Sequence, residues 1–265
     1  MVNRKKIRLR NGDVIDVEEY HDGAYGSPGR TRRKREKPTK EQVRLINRRN
    51  KAKRCRWRLI QYFDQGDLFI TWTYAPGNRP PDMAGALMDF QAAMAKVRKI
   101  YRVRGAPFYW IRNIERGTKG AWHIHLAIKQ TPEGDAAAIV TKAWTKGGTY
   151  VAEIRNSKFT GDDMEQLAGY LTKDEHTAEP RKDGTPGKPR IAESSYNTSR
   201  NMPLPEPKED KLVRWKPEVK PPKGYYIARI HEGINPVTGF LYRSYTLIRL
   251  KSTERKKPPN RVRRC

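Results

Sequence analysis

Two histidines stand one residue apart in an apolar segment, His123 and His125. Alternate residues of a strand point to one face and lie roughly 7 Å apart at Cα, so two imidazoles could bind one metal ion. Ordinary sheet histidines that hydrogen-bond to their neighbours show the same spacing. Glu115 ends the preceding predicted strand and would complete a set of two imidazoles and one carboxylate. Alternatively, Glu115 is a solvated charge beside Arg116.

Tyr170 is a candidate nucleophile. Lys173 lies three positions further on, so the two side chains share one face of a predicted helix. An ammonium and a nearby metal would favour the phenolate, which could then attack a phosphodiester. The alternative is a core tyrosine that packs against Leu167 and Leu171. No second tyrosine lies three or four positions away, so a nucleophilic Tyr170 would act alone.

The elements that must position these residues alternate between strands and helices. Strands are predicted at residues 68–74, 108–115, 121–128 and 149–154, and helices from residue 82 to about 101, at 136–144 and at 162–173. This order predicts an α+β fold with a central antiparallel sheet, ferredoxin-like or RRM-like, and flanking helices. It leaves the second face of the sheet open.

Basic residues are concentrated at the two ends of the chain. The formal net charge is +27, and residues 1–60 and 251–265 hold most of the excess. Such a charge indicates a polyanionic partner, with solvated tails as the alternative. The candidate nucleic-acid-binding residues are Arg32, Arg33, Arg35, Arg48, Arg49, Arg54 and Trp57. Trp72, Trp110 or Trp122 could stack on unpaired bases if they face outward.

Further segments flank the predicted sheet. Residues 6–17 form a predicted hairpin around Asn11-Gly12, and residues 225–250 form a second one. Thr39 and Gln42 suit a capping box that opens a basic helix reaching about Phe63.

Several classes of protein are excluded. No apolar run reaches the ~20 residues that cross a bilayer, and the first residues lack the apolar stretch of a signal peptide. Cys55 and Cys265 have no metal-ligand spacing, and no phosphate-loop motif of a helicase is present. We therefore expect a cytoplasmic protein that has no membrane partner and contains no helicase domain.

Three segments together resemble a known family. Residues 69–74, residues 122–126 with Glu115 upstream, and residues 169–173 are similar in order and spacing to the three motifs of HUH (His-hydrophobic-His) endonucleases. The resemblance covers roughly residues 66–176 and is greatest to single-tyrosine rolling-circle replication initiators of plasmids, phages and mobile elements. Residues 196–203 also resemble a segment that follows the tyrosine helix in such initiators.

The resemblance implies a fold and a mechanism. It implies the HUH endonuclease fold, and Mg²⁺ or Mn²⁺ held by His123, His125 and Glu115. Tyr170 would cut single-stranded DNA through a 5′-phosphotyrosine that frees a 3′-OH, and Lys173 would help to position the phosphate or the metal. The implied partners are single-stranded DNA or an origin hairpin, and a host helicase and polymerase.

The resemblance also suggests how the chain is divided. We expect one packed domain with basic terminal extensions: a basic extension at 1–63, an HUH-like nuclease domain at 64–177, a Pro/Gly-rich segment with the second hairpin at 178–250, and a basic tail at 251–265. Two alternatives to a metal-dependent nicking endonuclease stay open at this point. One is a noncatalytic RRM-like single-stranded nucleic-acid-binding protein, and the other is a zinc hydrolase in which Tyr170 is idle.

Strand register gives a geometric expectation for Glu115. Residues directly opposite in an antiparallel pair share a face. A five-residue loop at 117–121 places Glu115 opposite His123, whereas a four-residue loop turns its carboxylate to the other face. We predict the five-residue loop, or a bulge that corrects the register.

Overall fold

A computed structural model describes residues 1–21, 37–116, 121–154, 161–172, 196–234 and 240–250. The strands are β1 (Val2–Leu9), β2 (Val14–His21), β3 (Leu68–Thr73), β4 (Trp110–Arg116), β5 (Trp122–Ile128), β6 (Thr149–Glu153), β7 (Tyr196–Thr198), β8 (Lys208–Leu212), β9 (Tyr225–Ile234) and β10 (Leu241–Arg249). The helices are α1 (Lys40–Tyr62), α2 (Met83–Val103), α3 (Ala136–Ala143) and α4 (Gly161–Leu171), with short 3-10 turns at Arg10–Gly12 and Pro76–Asn78. Among these described helices, none has the length and apolar character needed to cross a membrane.

The chain divides into two compact units. The terminal unit contains the described residues up to 21 and from 205 onward, and the central unit contains those from 37 to 204. Each unit has one antiparallel five-stranded sheet. The predicted α+β class is therefore confirmed, but the sequence analysis expected a single packed domain and did not anticipate the second sheet.

In the central unit the sheet has the order β6-β3-β5-β4-β7, and every neighbouring pair is antiparallel. The first four strands along this part of the chain thus have the ferredoxin-like arrangement that their order along the sequence predicts. Strand β7 was not predicted. It adds three residues to the free edge of β4, where Tyr196 pairs with Asn113.

One face of this sheet packs against α2 and α3. Its core includes Ile70 and Trp72 of β3 and Phe90 of α2. The Trp72 ring is stacked on Trp144 at a centroid distance of 4.8 Å. Trp72 and Trp122 both lie in this core, so neither ring faces outward to stack on bases. Alternation along the strands explains the arrangement, because the other set of side chains points to the opposite face.

The opposite face of the sheet is partly covered by α4, although the order of elements predicted that it would be open. Met164, Ala168 and Leu171 of α4 are buried apolar residues, and α1 packs against α4. The start of α1 is the one predicted: the Gln42 backbone N–H donates to Thr39 Oγ1 at 3.2 Å, and the Thr39 N–H donates to Gln42 Oε1 at 2.9 Å. These two helices determine which part of the sheet stays accessible.

The terminal unit joins the two predicted hairpins. Its sheet has the order β8-β1-β2-β10-β9, in which β2 and β10 pair directly. Ile15, Val17, Tyr245 and Leu247 form its apolar cluster. A buried ion pair lies in the same sheet, with Arg243 Nη2 and Glu19 Oε2 2.7 Å apart. The N-terminal hairpin is thus an integral part of a sheet.

Candidate active site

The pairing of β4 with β5 places a carboxylate next to the histidines. Glu115 lies opposite His123, Asn113 lies opposite His125, and Arg116 pairs with Trp122. Five residues therefore separate the last paired positions, which is the predicted register. Residues 117–120 of this connection lie outside the described part of the chain. On the other side of β5, Thr71 pairs with His125.

His125 is the centre of the site. Its Nε2 atom is 2.9 Å from Glu115 Oε1 and 3.1 Å from Tyr170 Oη, and its Nδ1 atom is 3.0 Å from Thr71 Oγ1. The residue is only 4% exposed. One edge of the imidazole thus faces the strand hydroxyl, and the other edge faces both the carboxylate and the phenol.

Aromatic rings hold the phenol of Tyr170 in place. The rings of Phe69, His125 and His123 are nearly parallel, with interplanar angles of 1° and 5° and centroid distances of 6.0 Å and 6.4 Å. Tyr170 meets His125 edge-on at a centroid distance of 4.7 Å and Phe69 at 5.9 Å. At 39% exposure Tyr170 is not a core tyrosine. Edge-to-face contacts of this kind orient a ring without closing it off from solvent.

Burial and neighbouring charges set the protonation of the site. Burial lowers the pKa of His123, and the charges of His125 and Arg79 act in the same direction while Glu115 opposes them. The neutral imidazole, which is the form that binds metals, is therefore favoured. Burial, followed by the Glu115 carboxylate, raises the pKa of Tyr170 to about 12. The phenol is thus protonated at neutral pH, and it needs a base or a cation to become a nucleophile.

The donor atoms suit Mg²⁺ or Mn²⁺ in kind. Glu115 Oε1 and His125 Nε2 are 2.9 Å apart, close to the ~3 Å that separates adjacent ligands of an octahedral ion with bonds of about 2.1 Å. The His123 ring, however, lies parallel to that of His125 rather than turned toward it. Within the described ranges, no three His, Cys, Asp or Glu side chains are placed to hold a metal ion. A metal at this site therefore remains a prediction.

The structure brings together four of the residues that the sequence singled out and adds others. Glu115, His125 and Tyr170 are in direct contact, and the His123 ring lies alongside that of His125. Lys173 falls outside the described residues. Sequence reasoning missed four further residues around the imidazoles: Phe69, Thr71, Arg79 and Asn113. Strict alternation along β3 and β4, counted from the paired histidines, would have placed three of these on the site face. Nothing in the sequence indicated Arg79.

The predicted nucleic-acid-binding residues separate into groups. Arg48, Arg49 and Arg54 are exposed on α1. Trp57 is only 9% exposed, and the Lys53 ammonium lies 5.3 Å from the centroid of its ring. Because its ring is packed in the protein, Trp57 offers no face for base stacking, which corrects the expectation for this residue. Arg32, Arg33 and Arg35 lie outside the described part of the chain.

Comparison with known proteins gives an independent assignment for the same segment. Residues 67–175 match a family model of replication-associated proteins, described as the ORF2 type. This match includes β3 to β6 and α4, and therefore every element that contributes Glu115, His123, His125 or Tyr170. No curated protein and no solved structure matches the chain significantly. The resemblance to replication initiators is thereby confirmed at the level of a replication-associated family, which supports a role in DNA replication.

Proposed function

We propose that this protein initiates rolling-circle replication by nicking single-stranded DNA, with Tyr170 as the nucleophile. One observation carries the proposal: Tyr170 Oη approaches His125 Nε2 to 3.1 Å, and Glu115 Oε1 lies 2.9 Å from the same nitrogen. A phenol, an imidazole and a carboxylate are the groups that transfer to a tyrosine needs. They meet within the segment that matches the replication-associated family.

In the proposed reaction the Tyr170 oxygen attacks the scissile phosphorus. A new O–P bond joins the tyrosine to the 5′ side of the cut, and the bond from phosphorus to the 3′ oxygen breaks. The 3′ oxygen leaves as a hydroxyl after it takes up a proton, and the tyrosine proton passes to a nearby base. The Glu115 carboxylate and His125 Nε2 are both within reach. Because the phosphotyrosine conserves the energy of the phosphodiester, reversal can rejoin strands without ATP.

We infer that Glu115, His123 and His125 would hold Mg²⁺ or Mn²⁺. When bound, such an ion polarises a non-bridging phosphate oxygen and stabilises the charge that develops in the transition state. We further propose that Lys173, one turn beyond Tyr170 in the sequence, assists in binding the phosphate. A host helicase would unwind the duplex, and a host polymerase would extend the freed 3′-OH.

A covalent adduct tests this function. We expect the protein, incubated with a single-stranded origin oligonucleotide and Mn²⁺, to give a protein–DNA band on a denaturing gel. Tyr170→Phe should abolish the band and retain DNA binding, because it removes only the hydroxyl. Tyr150→Phe is the matched control, since Tyr150 lies on the same sheet face opposite Thr71 and is 69% exposed.

The other outcomes have definite meanings. Cut products without an adduct would indicate the hydrolase in which Tyr170 is idle. Intact DNA that is nevertheless bound would indicate the noncatalytic RRM-like protein. An adduct that survives Tyr170→Phe would transfer the role of nucleophile to another tyrosine.

A further inference from the structure

Helix α1 has two halves with opposite environments. Its second half is packed in the central unit, where Cys55, Leu59 and Ile60 are buried. Every residue of its first three turns, from Thr39 to Asn50, is exposed. The capping box at Thr39 stabilises this exposed end, and the helix continues into the packed half without a break. The exposed half is therefore a rigid element that presents its side chains to solvent.

The exposed turns are basic on one face. Lys40, Arg44 and Asn47 follow one another at intervals of four and three residues, so they lie in one row along the helix, and Arg48 borders that row. Among residues 40–50, Glu41 is the sole carboxylate. Amide and guanidinium groups in one row can contact both phosphates and base edges.

The composition of these turns favours duplex DNA over a single strand. Proteins bind single strands by stacking bases on aromatic rings, and residues 39–50 include no aromatic residue. An α-helix of about 10–12 Å diameter fits the major groove, which is about 12 Å wide. The exposed half is about 16 Å long at 1.5 Å per residue, enough to cross such a groove. Exposed Val43 and Ile46 could contact thymine methyl groups there.

We propose that the exposed half of α1 binds duplex DNA in the major groove, next to the strand that is cut. The inference rests on the proposed function in that both DNA segments belong to one origin. Helix α1 packs against α4, which carries Tyr170, so the duplex-binding element is attached to the helix of the nucleophile. It would thus select the DNA on which the site acts.

Binding of full-length variants to two DNA probes tests this proposal. The probes are a 20-base-pair origin duplex and a single strand of the same length, each titrated at several salt concentrations. Lys40→Ala combined with Arg44→Ala should weaken duplex binding about tenfold and lower the salt slope by about two, while single-strand binding changes less than twofold. Lys96→Ala combined with Lys99→Ala is the matched control, because it removes two exposed charges from α2.

Asn47→Ala gives a second readout. It should reduce the preference for the origin duplex over a scrambled duplex and leave the salt slope unchanged, because an amide contacts base edges. Equal losses on the two probes, or equal losses in the α1 and α2 variants, would overturn the proposal. The covalent adduct on a short single strand is measured separately and should persist in the α1 variants, so failure of the nicking function would be distinguished from failure of this inference.

Discussion

The imidazole of His125 is held at both of its ring nitrogens. Thr71 Oγ1 lies 3.0 Å from Nδ1, and Glu115 and Tyr170 lie near Nε2. A hydroxyl at Nδ1 fixes the plane of the ring and favours the tautomer in which that nitrogen carries the proton. The Nε2 lone pair is then directed at the carboxylate and the phenol. Thr71 is therefore a positioning residue for His125.

Substituting Thr71 tests this role. Thr71→Val keeps the shape of the side chain and removes the hydroxyl, so we expect Mn²⁺ affinity to fall about tenfold, as for other partners of metal-binding histidines. Isothermal titration with Mn²⁺ measures the change. Thr73→Val is the control, because the Thr73 hydroxyl donates instead to the Gly148 carbonyl at 3.4 Å. Equal effects of the two variants would mean that the Thr71 hydroxyl does not orient the ring.

Part of the candidate site could be predicted from spacing alone. His123 and His125 share a strand face because the strand period is two, and Tyr170 was selected by the chemistry of its side chain. Thr71 could not be identified in this way, because its proximity to Nδ1 depends on the register between β3 and β5. Register is fixed by packing across the whole sheet, which a local pattern does not encode.

At the scale of elements, the junction between β3 and β6 leaves no room for a side chain at Gly147. A Cβ atom there would clash with the Thr73 carbonyl oxygen and lie 2.6 Å from the Ala75 nitrogen. Both are backbone atoms in ordered segments, and the Ala75 N–H donates to the Lys146 carbonyl at 2.9 Å. The close approach of the two chains thus depends on glycine.

Gly147→Ala should therefore destabilise the protein. We expect the free energy of unfolding to fall by about 2–3 kcal/mol, as for other changes that force atoms into a packed region. Chemical denaturation of the variant and the parent measures the difference. Gly77→Ala is the control, because a Cβ at Gly77 meets no atom within 4 Å. A loss below about 0.5 kcal/mol at Gly147 would show that the junction can widen.

Charged residues attach strand β8 to β1 in the terminal unit. The Asp210 carboxylate accepts hydrogen bonds from Arg4 Nε at 2.7 Å and from Lys6 Nζ at 3.1 Å. These bonds, with Arg4 the first cause, lower the pKa of Asp210 from 3.8 to about 2. Strand β8 escaped prediction because four of its five residues are charged, and its pairing depends on partners more than 200 positions away.

The lowered pKa predicts a specific acid sensitivity. The stabilising contribution of Asp210 is fully present above its unfolded pKa and is lost as the pH falls toward the folded value of about 2. Asp210→Asn should flatten the dependence of the unfolding temperature on pH between about 4 and 2. Glu206→Gln removes one charge from the same segment and serves as the control. Identical pH profiles for Asp210→Asn and the parent would contradict the prediction.

For the whole molecule, the location of the positive charge differs from what the sequence suggested. We expected the basic residues of the first segment to be available to DNA. In the structure Arg4 and Lys6 bind Asp210, and Lys5 lies 2.7 Å from Glu209. Part of the N-terminal charge is thus neutralised within the sheet, whereas the cations in the first turns of α1 are exposed. The sequence could not separate these two uses of charge, because the acidic partners are distant in the chain.

The buried pair between Glu19 and Arg243 joins the two ends of the chain. Tyr245 Oη donates to the same carboxylate at 3.0 Å. Glu19→Gln should lower the free energy of unfolding by about 3 kcal/mol, because it leaves a buried guanidinium without its counter-charge. Glu232→Gln should cost less than about 1 kcal/mol, since Glu232 faces the same guanidinium at 3.5 Å but is 51% exposed. Chemical denaturation compares the two variants, and equal losses would contradict the prediction.

The pairing of β2 with β10 has a consequence for biosynthesis. The two strands are separated by more than 200 residues, so the sheet of the terminal unit cannot close until residue 249 has left the ribosome. At 5–20 residues per second, roughly 10–50 seconds pass between synthesis of the first hairpin and of its partner. The central unit is complete in the nascent chain before then, because its last strand is β7. The first hairpin to be translated is therefore part of the last sheet to form.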